Sequence, residues 1–374
     1  MIPVSRPSVG EKELARVSEV FDTGWLGMGA LVREFEETVG SYLGVEQVVA
    51  VNTGTSAIHL ALDSLGLAPG DQVIVPSLTF AATIQAVLST GAEPVFADID
   101  PDTLNITPED VAQRLTERTR VILPVHYCGS PCDMDELIAL AGPRSISLVE
   151  DAAHAFGSFY KGRRIGALEG PISCFSFDPI KVITCGEGGA VTTGDPELAE
   201  AMRKKRILGI DTDTWSRYQH RRNWFYEVVT EGYRYHMSNI SAAIGLEQFK
   251  RVEEFISRRQ AIVRRYDEGL AGLEGVITLR KDIKSIAPFM YIIRVPGCRD
   301  ALMDYLKEKG IGTGIHYIPN HLHPLFSRFF NPEKPLPQTD LVFREILTLP
   351  LFFELSDRDV DMIVGAIADF FKKP

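Results

Sequence analysis

Residues Ile146-Ser147-Leu148-Val149-Glu150-Asp151 form a short apolar run that ends on two acids. Runs of the same strand-like kind stand at Val73-Ile74-Val75, Pro94-Val95-Phe96 and Val121-Ile122-Leu123, and again at Ile172 to Phe177 and Ala190 to Thr193. Helical patterns separate them. Thr55 to Leu65 carries an apolar face of Ile58, Leu60, Ala61, Leu62 and Leu65, and Gly66 and Pro69-Gly70 end it. Ala81 to Ser89, Pro108 to Leu115 and Met134 to Ala141 follow. Short β-rich runs alternating with helices predict βαβ units, hence an α/β fold class with a large, mostly parallel sheet.

Working outward, the alternation fades near residue 205. Asp211 to Trp224 is polar and aromatic, carries Arg217, Arg221 and Arg222, and reads as a long loop. One long helix is expected from about Ser238 to Leu270, then a strand at Tyr291 to Val295 and helices at Arg299 to Lys309 and Asp357 to Phe371. This divides the chain into a large α/β domain, residues 1–240, and residues 241–374, a linking helix with a smaller C-terminal α+β domain. No internal repeat or low-complexity segment interrupts it.

The composition narrows the function classes. With 45% hydrophobic and 24% charged residues among 374, the chain is an ordinary globular protein rather than a disordered or disulfide-stapled one. A net charge of −11 repels nucleic acid and anionic membranes at long range, so an anionic ligand must meet a local positive site. No apolar run approaches the ~20 residues that span a bilayer. Met1 to Arg6 has no apolar signal core, and the five cysteines are an odd number of which only Cys128 and Cys132 lie close together. These features lead us to expect a reduced, cytoplasmic enzyme with neither nucleic-acid partner nor membrane insertion.

Three local features carry chemistry. In a parallel sheet, ligands sit beyond the carboxyl ends of the strands, where Glu150-Asp151 could meet a cationic ring nitrogen; alternatively these acids serve as a helix cap or surface charge. Lys181 lies among Pro179, Ile180, Val182 and Ile183. Such surroundings disfavour an ammonium and leave the nucleophilic amine of a Schiff-base lysine, unless the stem merely covers apolar surface while the head reaches water. Gly186-Glu187-Gly188-Gly189 follows as a tight turn where backbone can approach a ligand. Thr53-Gly54-Thr55-Ser56-Ala57 opens a helix, the place for a phosphate or for a plain Ser/Thr cap. Two further patterns fail on context. Gly310 to Gly314 mimics a dinucleotide loop but follows a helix, and His316, His321 and His323 lack metal-site spacing and paired cysteines, so no metal is expected. Together, a phosphate site, an acid beyond one strand and a lysine beyond another are the three anchors of pyridoxal 5'-phosphate.

Across nearly its whole length the sequence resembles the DegT/DnrJ/EryC1/StrS family of sugar aminotransferases, fold-type I pyridoxal-phosphate enzymes. The resemblance rests on Gly24-Trp25-Leu26, Asn52 to Ala57, Pro76 to Phe80, Pro124-Val125-His126-Tyr127, Glu150 to Ala155, Phe175-Ser176-Phe177 with Lys181, Gly186 to Gly189 and Gly312 to Tyr317. Several stretches look closest to the branch that makes 4-amino-4-deoxy-arabinose on a uridine nucleotide. The resemblance implies that Lys181 is the Schiff-base lysine and Asp151 the partner of the pyridine nitrogen. It implies that Thr55, Ser56 and Ser176 hold the phosphate, that Phe80 stacks on the ring, and that His154 lies near the phenolic oxygen. It places Tyr317 and His321 near the sugar.

Two departures stand out. Val182 replaces an Asn common after the lysine. Gly232-Tyr233-Arg234-Tyr235-His236 replaces a Gly-x-Asn-Tyr-Arg stretch that reaches the partner subunit's phosphate, a task that Arg234 could take as a cation. The implied reaction moves an amino group from an amino acid, L-glutamate, to a nucleotide-linked ketosugar in a homodimer with shared sites. Lys181 argues against a sugar 3-dehydratase, whose relatives carry His there. The absence of an added DNA-binding module and the acidic charge argue against a non-catalytic cofactor-binding regulator. An aminotransferase for a cyclic, non-nucleotide ketone stays open.

Overall fold

The computed structural model describes residues 1–211 and 225–372. Of the expected Asp211–Trp224 loop, 212–224 lie outside the described residues. A seven-stranded sheet organises the large part. Its strands are β1 (Gln47–Val51), β2 (Gln72–Pro76), β3 (Glu93–Ala97), β4 (Thr119–Ile122), β5 (Ser147–Asp151), β8 (Ile172–Ser176) and β9 (Gly189–Thr193). Between β5 and β8 lies a small ribbon, β6 (Phe159–Tyr160) and β7 (Arg163–Arg164). The order is β1-β9-β8-β5-β4-β2-β3, and only β9 runs against its neighbours.

Strand periodicity explains why both faces are covered. Val73 and Val75 join one apolar cluster, with Val121, Leu123, Val149 and the helix residues Ile58 and Leu62. Their neighbours Ile74, Ile122 and Leu148 join another on the opposite face. Strands buried on both faces read as continuous apolar runs, which is why these were legible. Phe175 and Phe177 point away from Cys174 into a third cluster, where Phe156 meets both rings edge-on at 5.4 and 5.1 Å. Burying each such ring contributes about 2 kcal/mol.

The single helix expected from Ser238 to Leu270 is two helices, Asn239–Phe249 and Val252–Leu270. Arg251 leaves helical geometry at φ −117° and ψ 9°. The first helix packs on Glu11–Thr23 and Ala30–Leu43, whereas Ile262, Val263, Tyr266 and Leu270 of the second enter the C-terminal core. One straight helix cannot face both, and the apolar rhythm resumes so soon after the turn that the sequence hides it.

In that C-terminal core, β10 (Ile277–Thr278), β11 (Tyr291–Arg294) and β12 (Ile346–Leu349) form an antiparallel sheet. The chain's first residues join it: the Ile2 N–H donates to the Gly310 carbonyl and the Gly312 N–H to that of Ile2. Among the described residues, no helix is long and apolar enough to cross a membrane.

Candidate active site

Because β1, β2, β5 and β8 run in one direction, Asn52, Ser77, Asp151 and Ser176 all lie at the same edge of the sheet. The helix Gly54–Ser64 starts there. Thr53 caps it, accepting the Ser56 N–H on Oγ1 at 3.0 Å and the Ala57 N–H on its carbonyl at 3.1 Å. Among the described residues this leaves the N–H groups of Gly54 and Thr55 unpaired, at the positive end of the helix. Gly54 abuts Ser176: a Cβ on it would lie 2.6 Å from the Ser176 Cβ. Gly189 pairs with both Val51 and Ser176, and a Cβ there would lie 2.3 Å from the Thr53 carbonyl oxygen. Two glycines thus let backbone close around Thr55 and Ser176. The Ser56 hydroxyl is turned aside, donating to Asn52 Oδ1 at 2.7 Å.

At the end of β5, strand alternation separates the two acids. Glu150 accepts from the Ser173 hydroxyl and stands 3.4 Å from His126 Nε2. Asp151 faces the site, where Oδ2 accepts from Thr83 Oγ1 at 2.7 Å and Oδ1 from the Ala153 N–H at 3.1 Å. Burial raises its carboxyl pKa, and the Thr83 and Ala153 bonds and the charge of Lys181 oppose that rise.

Lys181 follows β8 on a turn closed by its N–H donating to the Asp178 carbonyl at 3.1 Å. Its Nζ lies 4.0 Å from the centroid of Phe289. Burial lowers the amine from 10.5 to about 8, against the pull of Asp178 and Asp151. His154 stacks on Phe289 at 4.4 Å, and its Nε2 is 3.2 Å from the Tyr317 hydroxyl. Burial, then the charge of Lys181, keeps that imidazole neutral well below its usual range. Phe80, 57% exposed, lies 5.5 Å from the Tyr317 ring.

The amine is nucleophilic only when neutral, so the cofactor-free protein should react with pyridoxal phosphate faster as pH rises through about 8 and level off above it. Stopped-flow absorbance measures this. A rate still climbing toward pH 10.5 would show an unperturbed lysine.

The model of the DegT/DnrJ/EryC1/StrS aminotransferase family matches residues 7–368. The chain belongs to this family. It is 38% identical over 379 residues to the spore coat polysaccharide biosynthesis protein SpsC of Bacillus subtilis, covering 99% of this chain and 97% of SpsC. The putative sugar aminotransferase Spr1654 of Streptococcus pneumoniae, in its PMP form, superimposes with a TM-score of 0.94 at 31% identity, with complete coverage of both chains (100% each). DesV of S. venezuelae superimposes with a TM-score of 0.89 at 35% identity, covering 97% of this chain and 95% of that one. The enzymes of this family depend on pyridoxal phosphate.

The residues present fit that cofactor. The glycine-lined cradle admits a phosphate, the buried Asp151 gains from a cationic ring nitrogen, and Lys181, electrostatically coupled to Asp151, offers an amine that loses its proton more readily than an ordinary lysine. His154 Nδ1 is buried and, among the described residues, without a hydrogen-bond partner. Tyr317 joins this cluster through His154.

His321 does not. Its Nδ1 lies 2.8 Å from the Ser77 hydroxyl and its Nε2 3.1 Å from Asp340 Oδ1. Arg234 sits exposed on a segment whose Tyr235 carbonyl accepts the Asn52 N–H at 2.7 Å. Among the described residues, no hydrogen bond or ion pair joins Arg234 to this chain's own cradle.

Among the described residues, no group of three or more His, Cys, Asp or Glu side chains is arranged to hold a metal. Sequence reasoning missed Thr83, Phe289 and Arg259. Arg259 is buried and donates to the carbonyls of Phe289 at 3.2 Å and Lys181 at 3.5 Å, tying the lysine to its aromatic floor. A charge on the apolar stripe of Val252–Leu270 was its available signal; Thr83 and Phe289 left none.

Proposed function

We propose that this sugar aminotransferase moves an amino group from L-glutamate to a keto carbon of a nucleotide-linked sugar, in two half-reactions that share one site. The observation that carries the reading is the buried amine of Lys181, lowered to about 8 and coupled to Asp151, on the turn that follows the strand whose last residue, Ser176, abuts Gly54. When bound, pyridoxal phosphate supplies an electron sink for cleaving the C–H bond beside an amino group. Lys181 Nζ takes the proton from the donor's α-carbon and redelivers it, acting as base and then acid. Asp151, as a carboxylate, holds a proton on the ring nitrogen. The N–H groups of Gly54 and Thr55 and the Ser176 hydroxyl would hold the phosphate, and Phe80 and His154 would lie beside the ring.

The same reading makes the enzyme a cytoplasmic homodimer with shared sites. Leu208, Val228 and Val229, 44%, 65% and 55% exposed, form an apolar surface on the segments flanking Arg234, as an interface requires.

The test mixes the pyridoxamine form with nucleotide ketosugars and, separately, with cyclic ketones lacking a nucleotide. Return of the aldehyde-form absorbance with nucleotide sugars alone is expected. Return only with the free ketones would overturn the nucleotide assignment.

A further inference from the structure

We infer that His321 is a positioning residue for this reaction, a bracket between the C-terminal part and the Ser77–Phe80 turn that holds Phe80, Thr83 and Asp151 in place. The inference rests on the aminotransferase reading above. Ser77 is wholly buried, and its Oγ accepts the backbone N–H of His321 at 3.1 Å while lying 2.8 Å from His321 Nδ1. The Asp340 carboxylate can only accept, so the ring proton sits on Nε2, which donates to Asp340 Oδ1 at 3.1 Å. In the neutral ring Nδ1 is then an acceptor, and the Ser77 hydroxyl donates to it. Burial lowers the imidazole pKa, against Asp340 and Asp98, in keeping with this neutral tautomer.

Both ends of the bracket are anchored. Asp340 belongs to the helix Pro337–Glu345, whose Gln338 and Thr339 N–H groups donate to Asp98 just beyond β3, at 3.0 and 2.8 Å. At the other end, Asn320 donates its N–H to the Ser77 carbonyl at 2.8 Å and its Nδ2 to that of Thr79 at 2.7 Å. From this turn the path runs to the site. Thr79 Oγ1 is 3.1 Å from Thr83 Oγ1, which donates to Asp151 Oδ2, and Phe80 is the residue from which the helix Ala81–Ser89 starts. Displacing the turn therefore moves the ring-flanking aromatic and the partner of the catalytic carboxylate together. His321 is 6% exposed with both nitrogens engaged, so it acts through the turn and not on the sugar.

The test compares His321→Leu, His321→Asn and Ser77→Ala with unaltered enzyme in single turnovers. It reads the glutamate half-reaction, the ketosugar half-reaction and the absorbance maximum of the bound cofactor. We expect His321→Leu and Ser77→Ala to slow both half-reactions by a common factor of roughly ten or more and to shift the absorbance. His321→Asn, which can still receive the Ser77 hydroxyl, should recover part of the loss. Slowing confined to the ketosugar half-reaction with unchanged absorbance would overturn the inference in favour of direct sugar contact.

If unaltered enzyme performs no donor half-reaction, the aminotransferase reading fails instead, and the bracket is decided on cofactor-free protein. Urea midpoints should then show Ser77→Ala and His321→Leu together costing no more than the larger single change. Additive losses would overturn the bracket. Should His321→Leu fail to fold, Ser77→Ala and His321→Asn carry the same comparison.

Discussion

Replacing Lys181 by alanine is expected to reduce turnover by roughly 10⁴-fold or more while the chain still folds, because one side chain serves as both nucleophile and proton carrier. Removing the amine takes a counter-charge from buried Asp151 and lets its carboxyl pKa rise further, but the Thr83 and Ala153 bonds, the His154–Phe289 stack and the Arg259 contacts to backbone carbonyls remain. Borohydride treatment of the loaded wild type should attach the cofactor to the peptide holding Lys181, and labelling of another lysine would refute the assignment. The same variant tests the shared site. Mixed with an Arg234→Ala chain under limiting pyridoxal phosphate, it should recover part of the activity, since a heterodimer carries one site with both residues intact. A monomer in solution, or no recovery after confirmed chain exchange, would show that Arg234 does not cross to a partner.

Asp151→Asn should lower kcat by about 10³-fold yet leave cofactor retention nearly intact, since what it removes is a preorganised charge. With its oxygen toward the Ala153 N–H, the amide places Nδ2 against Thr83, whose hydroxyl can turn to accept from it, so the geometry persists. It cannot hold a proton on the ring nitrogen, so the electron sink weakens. Dialysis followed by absorbance measures retention, and glutamate turnover measures the loss. Wild-type turnover in this variant would exclude Asp151 as the ring partner.

Much of the fold was legible because its signals are local. The runs at Val73 and Val121 are apolar throughout, and those ending at Asp151 and starting at Ile172 largely so, because both faces of the sheet are covered, and the helices between them show their periodicity. The helix Asp357–Phe371 was likewise readable from its own apolar stripe and Ser356 cap. The strand Gln47–Val51 passed unread, and its place beside β9 rests on pairing with residues far along the chain.

The candidate site divides in the same way. Lys181 among apolar neighbours, the acids at a strand end and the hydroxyls at a helix start follow from sequence alone. The choice of Asp151 over Glu150 came from the family resemblance and not from local pattern, because alternation puts adjacent residues on opposite faces without saying which face holds the site. Phe289 beneath the amine, Thr83 on the carboxylate and Arg259 behind the lysine's backbone come from distant segments. His321 shows the limit most clearly. Its motif suggested a sugar contact, but packing against Ser77, 244 residues away, and against Asp340 commits both nitrogens. Sequence by itself determined the elements and the reactive residue types, since periodicity, caps and strand ends depend on near neighbours. Tertiary structure alone decided which of those side chains share a site, since burial and hydrogen bonding between remote segments exist only once the sheet and the C-terminal part have closed on each other.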